Sequence, residues 1–240
     1  MCWAVKLLAE HPIAQSHIRK SLQSAFTTAM SENRLPSIHE ITGASVPYLD
    51  AAIEEIFRVS GPVPLGSREA TRDTVVLGHA IPKGTTVMYL QNGPSFLMPA
   101  GEIDESRRSE RSQEDQKRGR HKAWNDDDIA SFKPERWLVE AQPDDNGNGN
   151  ALENPTDKSG SEAAVVFDSN AGPTNPFGLG LRSCFGRRLA YLEFRIMLII
   201  LIWNFELLEC PKEISDWHGK LGVVYKPRQC FVRLKKVDHL

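Results

Sequence analysis

Apolar residues recur at helical spacing over residues 3–10 and 12–30, with Pro12 between them, so two helices in series are expected. Proline's missing N–H is harmless in a first helical turn, which makes Pro12 a natural start for the second. Over 46–59 the residues Tyr48, Leu49, Ala52, Ile53, Ile56 and Phe57 fall on one face of a third helix, which Gly61-Pro62 ends. Beyond it, 74–77 and 85–90 are β-branched, apolar runs joined by a link containing Pro82-Lys83-Gly84, and they read as a strand pair. Residues 189–208 are strongly apolar and predict the central helix of the C-terminal part. The most apolar stretch, 196–203, lies between Arg195 and Asn204 and falls short of the ~20 residues a bilayer-spanning helix needs, so it reads as core.

Two polar stretches, about 101–122 and 140–163, interrupt this pattern. Over 102–122, thirteen of twenty-one residues are charged, too many to bury the apolar surface that ordering requires, so a disordered insertion is expected. The interleaved acids make Arg107, Arg108 and Arg111 a solvated face rather than a nucleic-acid patch. The whole chain of 240 residues carries 29 Lys plus Arg against 31 Asp plus Glu, a formal charge of −2, which gives no basic field for nucleic acid. Its four cysteines, Cys2, Cys184, Cys210 and Cys230, form no CxxC pair, which argues against structural zinc and a dense disulfide framework and for a reducing, cytosol-facing environment. Cys2, Cys210 and Cys230 read as small buried hydrophobes.

The chemistry concentrates in Phe177-Gly178-Leu179-Gly180-Leu181-Arg182-Ser183-Cys184-Phe185-Gly186, immediately before the last apolar helix. A cysteine binds metal as its anion, and the positive end of a helix dipole with nearby backbone N–H groups favours an anion; Cys184 sits where both are at hand. Gly178, Gly180 and Gly186 let the backbone turn tightly and approach a flat ligand closely. Arg182 can pair with a carboxylate on that ligand. The stretch describes a thiolate loop pressed against a large, planar, anionic cofactor. Upstream, Glu55 and Arg58 stand three apart on one helix face, where they can form an ion pair of the kind usually worth under ~1 kcal/mol at a surface. Glu54, one position off, is expected to face solvent.

The loop resembles the haem-binding loop of the cytochrome P450 family, FxxGxRxCxG, with Phe177, Gly180, Arg182, Cys184 and Gly186 in place. Five fixed positions coincide by chance in a chain of this length about once in ten thousand at average residue usage. Glu55-Ile56-Phe57-Arg58 resembles the family's ExxR motif. Phe132-Lys133-Pro134-Glu135-Arg136-Trp137 resembles its PERF/PERW motif, whose arginine completes a buried Glu-Arg-Arg triad. The resemblance implies a mainly α fold with small β-sheets, the C-terminal half of the P450 fold, with residues 1–240 as one partial domain. It implies haem (iron protoporphyrin IX) as cofactor and Cys184 as the axial iron ligand. Phe177, Gly178, Gly180, Arg182, Gly186 and Arg68 are then haem-binding, with Arg68 and Arg182 on propionates, and Glu55, Arg58 and Arg136 form the structural triad.

The implied activity is a haem-thiolate monooxygenase inserting one oxygen atom from O2 into a small organic, apolar substrate. Its electrons come from NADPH through a flavoprotein reductase, and its place is the cytosolic face of the endoplasmic reticulum membrane. Val63, Pro64 and Leu65 line the remaining side of the pocket or are plain packing. Arg187 and Arg188 contribute to a basic face for the reductase or are solvated helix-start arginines. The front of the chain departs from the family. Residues 3–12 resemble the end of the long central helix, so the acid–alcohol pair that handles protons, the membrane anchor and much of the pocket are expected to be missing, with Thr27 and Thr28 no substitutes. The alternative expectation is therefore a truncated, non-catalytic chain with exposed apolar surface. A helical interaction module accounts for the periodicity but not for the ordered motifs.

Overall fold

The predicted helix over 46–59 lies at the centre of the molecule, and three others close around it. The computed structural model describes residues 1–119, 122–141 and 165–237; the second polar stretch, apart from Glu140 and Ala141, lies outside them. Helix α1 (Cys2–Glu10) leads into α2 (Pro12–Ala25), with Pro12 in the first turn. The helical spacing read through residue 30 breaks at Phe26, whose φ of −116° and ψ of 49° start the separate short helix α3 (Thr27–Ser31). Phe26 is turned inward at the break, buried with its edge against Trp203.

Helix α4 (Ile38–Gly43) opens on a capping box, in which Ser37 and Glu40 satisfy each other's backbone N–H groups. Arg34 reaches the same carboxylate with Nη1 at 2.7 Å and Nη2 at 2.9 Å. That bidentate contact pulls Glu40 down from 4.5 to about 2. A depressed carboxylate stabilises the fold above its unfolded value, and the contribution is lost as pH falls from about 4.5 towards about 2. An NMR titration of Glu40 is expected to move up towards the ordinary carboxylate range in Arg34→Gln, the Ser37 hydrogen bonds keeping part of the depression; an unchanged midpoint would show that Arg34 is not its main cause.

Helix α5 (Pro47–Ser60) ends at Gly61 in the left-handed region, φ +46°, where a Cβ would also strike the Asn92 side chain. The small sheets follow: β1 (Leu65–Glu69), β2 (Thr74–Val76), β3 (His79–Ile81) and β4 (Thr86–Leu90). The expected pairing of 74–77 with 85–90 is wrong. β2 pairs with β3 through a two-residue turn in which Leu77 and Gly78 both have positive φ, and β4 pairs with β1 across the register Gly66 to Tyr89. Two left-handed residues make the turn that matches strand twist, so a three-residue strand closes on its immediate neighbour before 85–90 is reached.

The polar stretch over 102–122 is likewise not structureless. Ser109 caps α6 (Glu110–Lys117), which buries no residue and carries local pairs such as Arg118 with Glu114 at 3.7 Å. It is a solvated helix held by capping and charge spacing rather than by packing. β5 (Leu138–Glu140) and β6 (Val165–Phe167) pair across the residues left undescribed. Helix α7 (Arg187–Asn204) stops short of the helix expected to 208, because the chain switches to β7 (Phe205–Leu208). Arg19 of α2 takes the carbonyls of Ile202 and Phe205 at 3.1 and 2.7 Å, satisfying groups a helix end leaves open. β8 (Gly219–Leu221) pairs with β9 (Tyr225–Pro227), and β10 (Arg233–Lys236) pairs back onto β7.

The core lies between α1, α2, α5 and α7, where Leu8, Ile18, Leu22, Leu49, Leu198 and Ile202 are fully buried. Each contributes about 1.5–3 kcal/mol relative to exposure. A buried amide, Gln15, ties three elements together, donating to Leu8 O and Leu207 O and accepting from Leu207 N. A second cluster of Ala51, Trp124, Ile129 and Trp137 lies on the other side of α5. None of the four cysteines is buried: Cys2 is exposed, and Cys210 and Cys230 are partly so, which corrects the expectation of three packed thiols. Among the described residues no helix is long and apolar enough to cross a membrane.

Candidate functional site

The loop before α7 owes its shape to two glycines. Gly178 and Gly180 have φ of +71° and +70°, a region that costs a side chain strain, and the turns they allow bring the two ends of the loop together. The Cys184 N–H donates to Phe177 O at 2.7 Å and the Ser183 N–H to Gly180 O at 3.0 Å, while the Cys184 carbonyl accepts from Arg187 N at 3.3 Å. Cys184 is thereby set at the N-terminal end of an 18-residue helix, at the positive pole of its dipole. Its thiol is exposed and opens on a cavity of about 650 Å³.

Phe177, Gly178, Arg182, Cys184 and Arg68 all line this cavity; Gly180 and Gly186 do not. Gly186 has an ordinary φ of −80°, and a Cβ there would meet Cys184 Sγ at only 3.8 Å, so neither strain nor close approach demands glycine at that position. Val63 and Leu65 are on the opposite wall with Val224, but Pro64 is not, and Pro62 takes part instead. Residues of α7 that spacing alone did not single out, Phe194 and Met197, complete the apolar lining.

Arg68 is held by a neighbour the motifs do not contain. Its guanidinium lies over the Tyr89 ring, 5.6 Å from the centroid, and donates to Ser67 O. Tyr89 can lie flat across the strand pair because its cross-strand partner is Gly66, where a Cβ would come within 2.3 Å of the ring. Gly66→Ala is expected to displace Tyr89 and to cost ~1–3 kcal/mol in a urea melt through overpacking. A melt unchanged within error would mean that the ring has room.

Behind the loop, Glu55 gathers charge and hydrogen-bond donors from its own helix and from residues 133–137. Oε1 accepts from Arg58 Nη2 at 2.8 Å, Lys133 N at 2.8 Å and Arg136 Nε at 3.0 Å, and Oε2 from Arg58 Nε at 2.8 Å and Trp137 Nε1 at 2.9 Å. The Glu55 and Arg58 side chains are 0% exposed and that of Arg136 5%. The remaining guanidinium donors reach the carbonyls of Phe96, Ile129, Ser131 and Asp128, and Arg136 also pairs with Asp128 Oδ1 at 3.0 Å. Trp124 lies against both guanidinium groups, at 5.7 and 5.3 Å. Asp128, Trp124 and Trp137 are members that the motif spacing does not reveal, although Trp137 stands inside the PERW tetrad itself.

Glu54 does not face solvent. It is 4% exposed and its Oε1 accepts a hydrogen bond from the Tyr191 hydroxyl of α7. Burial pushes its carboxyl above the ordinary range, opposed by the Tyr191 hydrogen bond and the charge of Arg187. The Tyr191 hydroxyl is raised in turn, first by burial and then by Glu54. A helix packed on nearly all sides, as α5 is, leaves no solvent-facing position in its middle turns.

Residues 1–92 and 121–233 match the family model "Cytochrome P450", and the chain belongs to the cytochrome P450 family. It is 46% identical over 236 residues, 98% of the chain, to cytochrome P450 monooxygenase TRI13 of Fusarium sporotrichioides, and covers 39% of that protein. It is 40% identical over its whole length to the Hps1-dma1 cluster cytochrome P450 monooxygenase cyp3.1 of Dothistroma septosporum, covering 73% of it. Against cytochrome P450 monooxygenase xilC of Penicillium rubens it is 36% identical over 98% of the chain, which is 36% of that relative. Two of these three relatives are thus more than twice as long as the matched stretch.

The family implies haem, and the cavity suits such a group. One thiol and two guanidinium groups in a mostly apolar lining, which also holds Gln91 and Glu193, are a donor set for a flat molecule with carboxylates at its edge. The thiol has no companions for a bare ion, since no group of three His, Cys, Asp or Glu that could hold one occurs among the described residues.

Proposed function

We propose that Cys184 is the axial ligand of a haem and that the chain carries the haem-thiolate half of a monooxygenase acting on a small, apolar organic substrate. The observation that carries this reading is the shared cavity: the exposed thiol and the side chains of Arg68 and Arg182 open into one space walled by Val63, Leu65, Phe194 and Met197. In this reading Cys184 Sγ would hold the iron, its backbone fixed by the N–H bond to Phe177 O. Arg182 and Arg68 neutralise the propionates, with Arg68 aimed by the Tyr89 ring. Phe177 and Phe194, which line the cavity, would supply apolar surface against the group. Val63, Leu65 and Val224 form the wall against which an apolar substrate excludes water. Thiolate-bound haem supplies the chemistry, O2 activation and transfer of one oxygen atom to the substrate while the other leaves as water. Electrons come from NADPH through a flavoprotein reductase, and the whole protein works at the cytosolic face of the endoplasmic reticulum membrane.

A second reading is favoured by the surface. Leu181, Phe185 and Val223 are wholly exposed, and Leu189, Met197 and Ile200 make an open apolar stripe along α7. A patch of this kind needs a cover. In this reading the polypeptide as given holds haem weakly or not at all and does not turn over. Titrating haem into the chain and recording the reduced carbon monoxide spectrum decides between them. A red-shifted, thiolate-type band supports the first reading; its absence, with the protein aggregated, supports the second.

A further inference from the structure

We propose that Glu54 and Tyr191 are a positioning pair that clamps both ends of the Cys184 loop to α5; its bearing on the iron rests on the role given to Cys184 above. Tyr191 touches the loop on its two sides. Its ring lies 5.3 Å from that of Phe177, where the loop begins, and the guanidinium of Arg187, where the loop passes into α7, lies over the same ring at 5.5 Å. Each of those residues is bonded to the cysteine through the backbone, Phe177 by accepting the Cys184 N–H and Arg187 by donating to the Cys184 carbonyl. The Tyr191 ring also packs edge-on against Phe57 of α5 at 5.3 Å, and Phe57 meets Phe177 at the same distance, so the three rings close on one another. Aromatic contacts alone let a ring slide in its plane; a hydroxyl bonded to a fixed acceptor does not.

Glu54 is that acceptor, and its situation is costly. It is 4% exposed, its Oε2 has no hydrogen-bond partner among the described residues, and it stands beside the Glu55 network without joining it. With a single hydrogen bond, from a hydroxyl, and the exposed Arg187 as the cation acting on it, this buried carboxylate stabilises the fold poorly, so its use lies in fixing geometry.

The test compares Tyr191→Phe, Glu54→Gln and the double variant Glu54→Leu/Tyr191→Phe by amide hydrogen exchange of the chain. Replacing both partners by apolar groups leaves no orphaned polar atom, so the double variant is expected to unfold near the parent's urea midpoint. Its peptides over 177–187 are nevertheless expected to exchange about tenfold faster, while those of α2 keep the parent's rates. Tyr191→Phe is expected to give the same local loosening, and Glu54→Gln, whose amide oxygen still accepts from Tyr191, to restore protection. Unchanged exchange over 177–187 in the double variant, or a rise spread evenly over all peptides, would overturn the clamp. In the haem-loaded chain the thiolate-type share of the reduced carbon monoxide spectrum is expected to fall several-fold in the double variant at equal haem content. An equal share would confine the pair to packing. A parent without that band counts against Cys184 as ligand, and leaves the exchange result to judge the clamp by itself.

Discussion

Glu55→Ala is expected to lose ~3–5 kcal/mol of stability, the cost of leaving buried cations without their counter-charge. Both oxygens of Glu55 are fully engaged, and removing them strands Arg58 Nε, the Lys133 and Arg136 donors and the Trp137 indole at once. Arg136 retains Asp128 at 3.0 Å, but Arg58, with a side chain 0% exposed, retains neutral carbonyls and the Trp124 ring and no counter-charge. Folded domains have about 5–15 kcal/mol in hand, so the variant sits near or beyond the edge of folding. The network also joins α5 to the PERW segment, which in turn starts the second aromatic cluster, so the loss is expected to be cooperative rather than local. A urea melt is the measure, with Arg107→Ala as comparison. Arg107 pairs with Asp104 at 3.3 Å in a bridge more than half exposed on both sides, and its loss is expected to stay within ~1 kcal/mol. Equal midpoints for the two variants would mean that the buried network contributes no more than a surface bridge.

Cys184→Ser is expected to abolish the thiolate-type band of the reduced carbon monoxide complex while leaving the fold intact. The thiol is exposed, so an oxygen in place of sulfur disturbs no packing, and the loop is held by the backbone of residue 184 rather than by its side chain. The urea midpoint is accordingly expected to match the parent's within ~0.5 kcal/mol, as for surface substitutions generally. Cys210→Ser, a change at a partly exposed thiol away from the cavity, is the control and should alter neither quantity. A thiolate-type band persisting in Cys184→Ser would transfer the ligand role to another cysteine and end the present proposal.

How far the chain could be read before its structure depended on the range of the interactions involved. The helix on Leu49, Ile53 and Ile56 was visible because periodicity is local, and α5 ends one residue beyond the predicted limit. The pairing of β4 was not visible, because strands of β-branched residues carry no address. What decided it was a turn at Leu77-Gly78 that puts a leucine at φ +50°, and leucine is not a residue that announces such a turn. Within the charged stretch over 102–122, α6 is capped by Ser109 and buries no residue, so no apolar pattern announces it.

Family membership was legible in one dimension, since Phe177, Gly180, Arg182, Cys184 and Gly186 lie within ten residues. The resemblance also named Arg68, and the reading of the pocket Val63 and Leu65, but not Tyr89, Phe194 or Met197, which complete the cavity around the thiol. Arg68 reaches the same cavity from more than a hundred residues away because Tyr89 crosses Gly66, and Glu54 is buried because Tyr191 arrives from the other end of the chain. A sequence carries propensity and spacing, which fix what a segment can become. The partner of a buried polar atom is chosen only when distant segments pack and water leaves, and for Glu54 that choice was made by the tertiary structure.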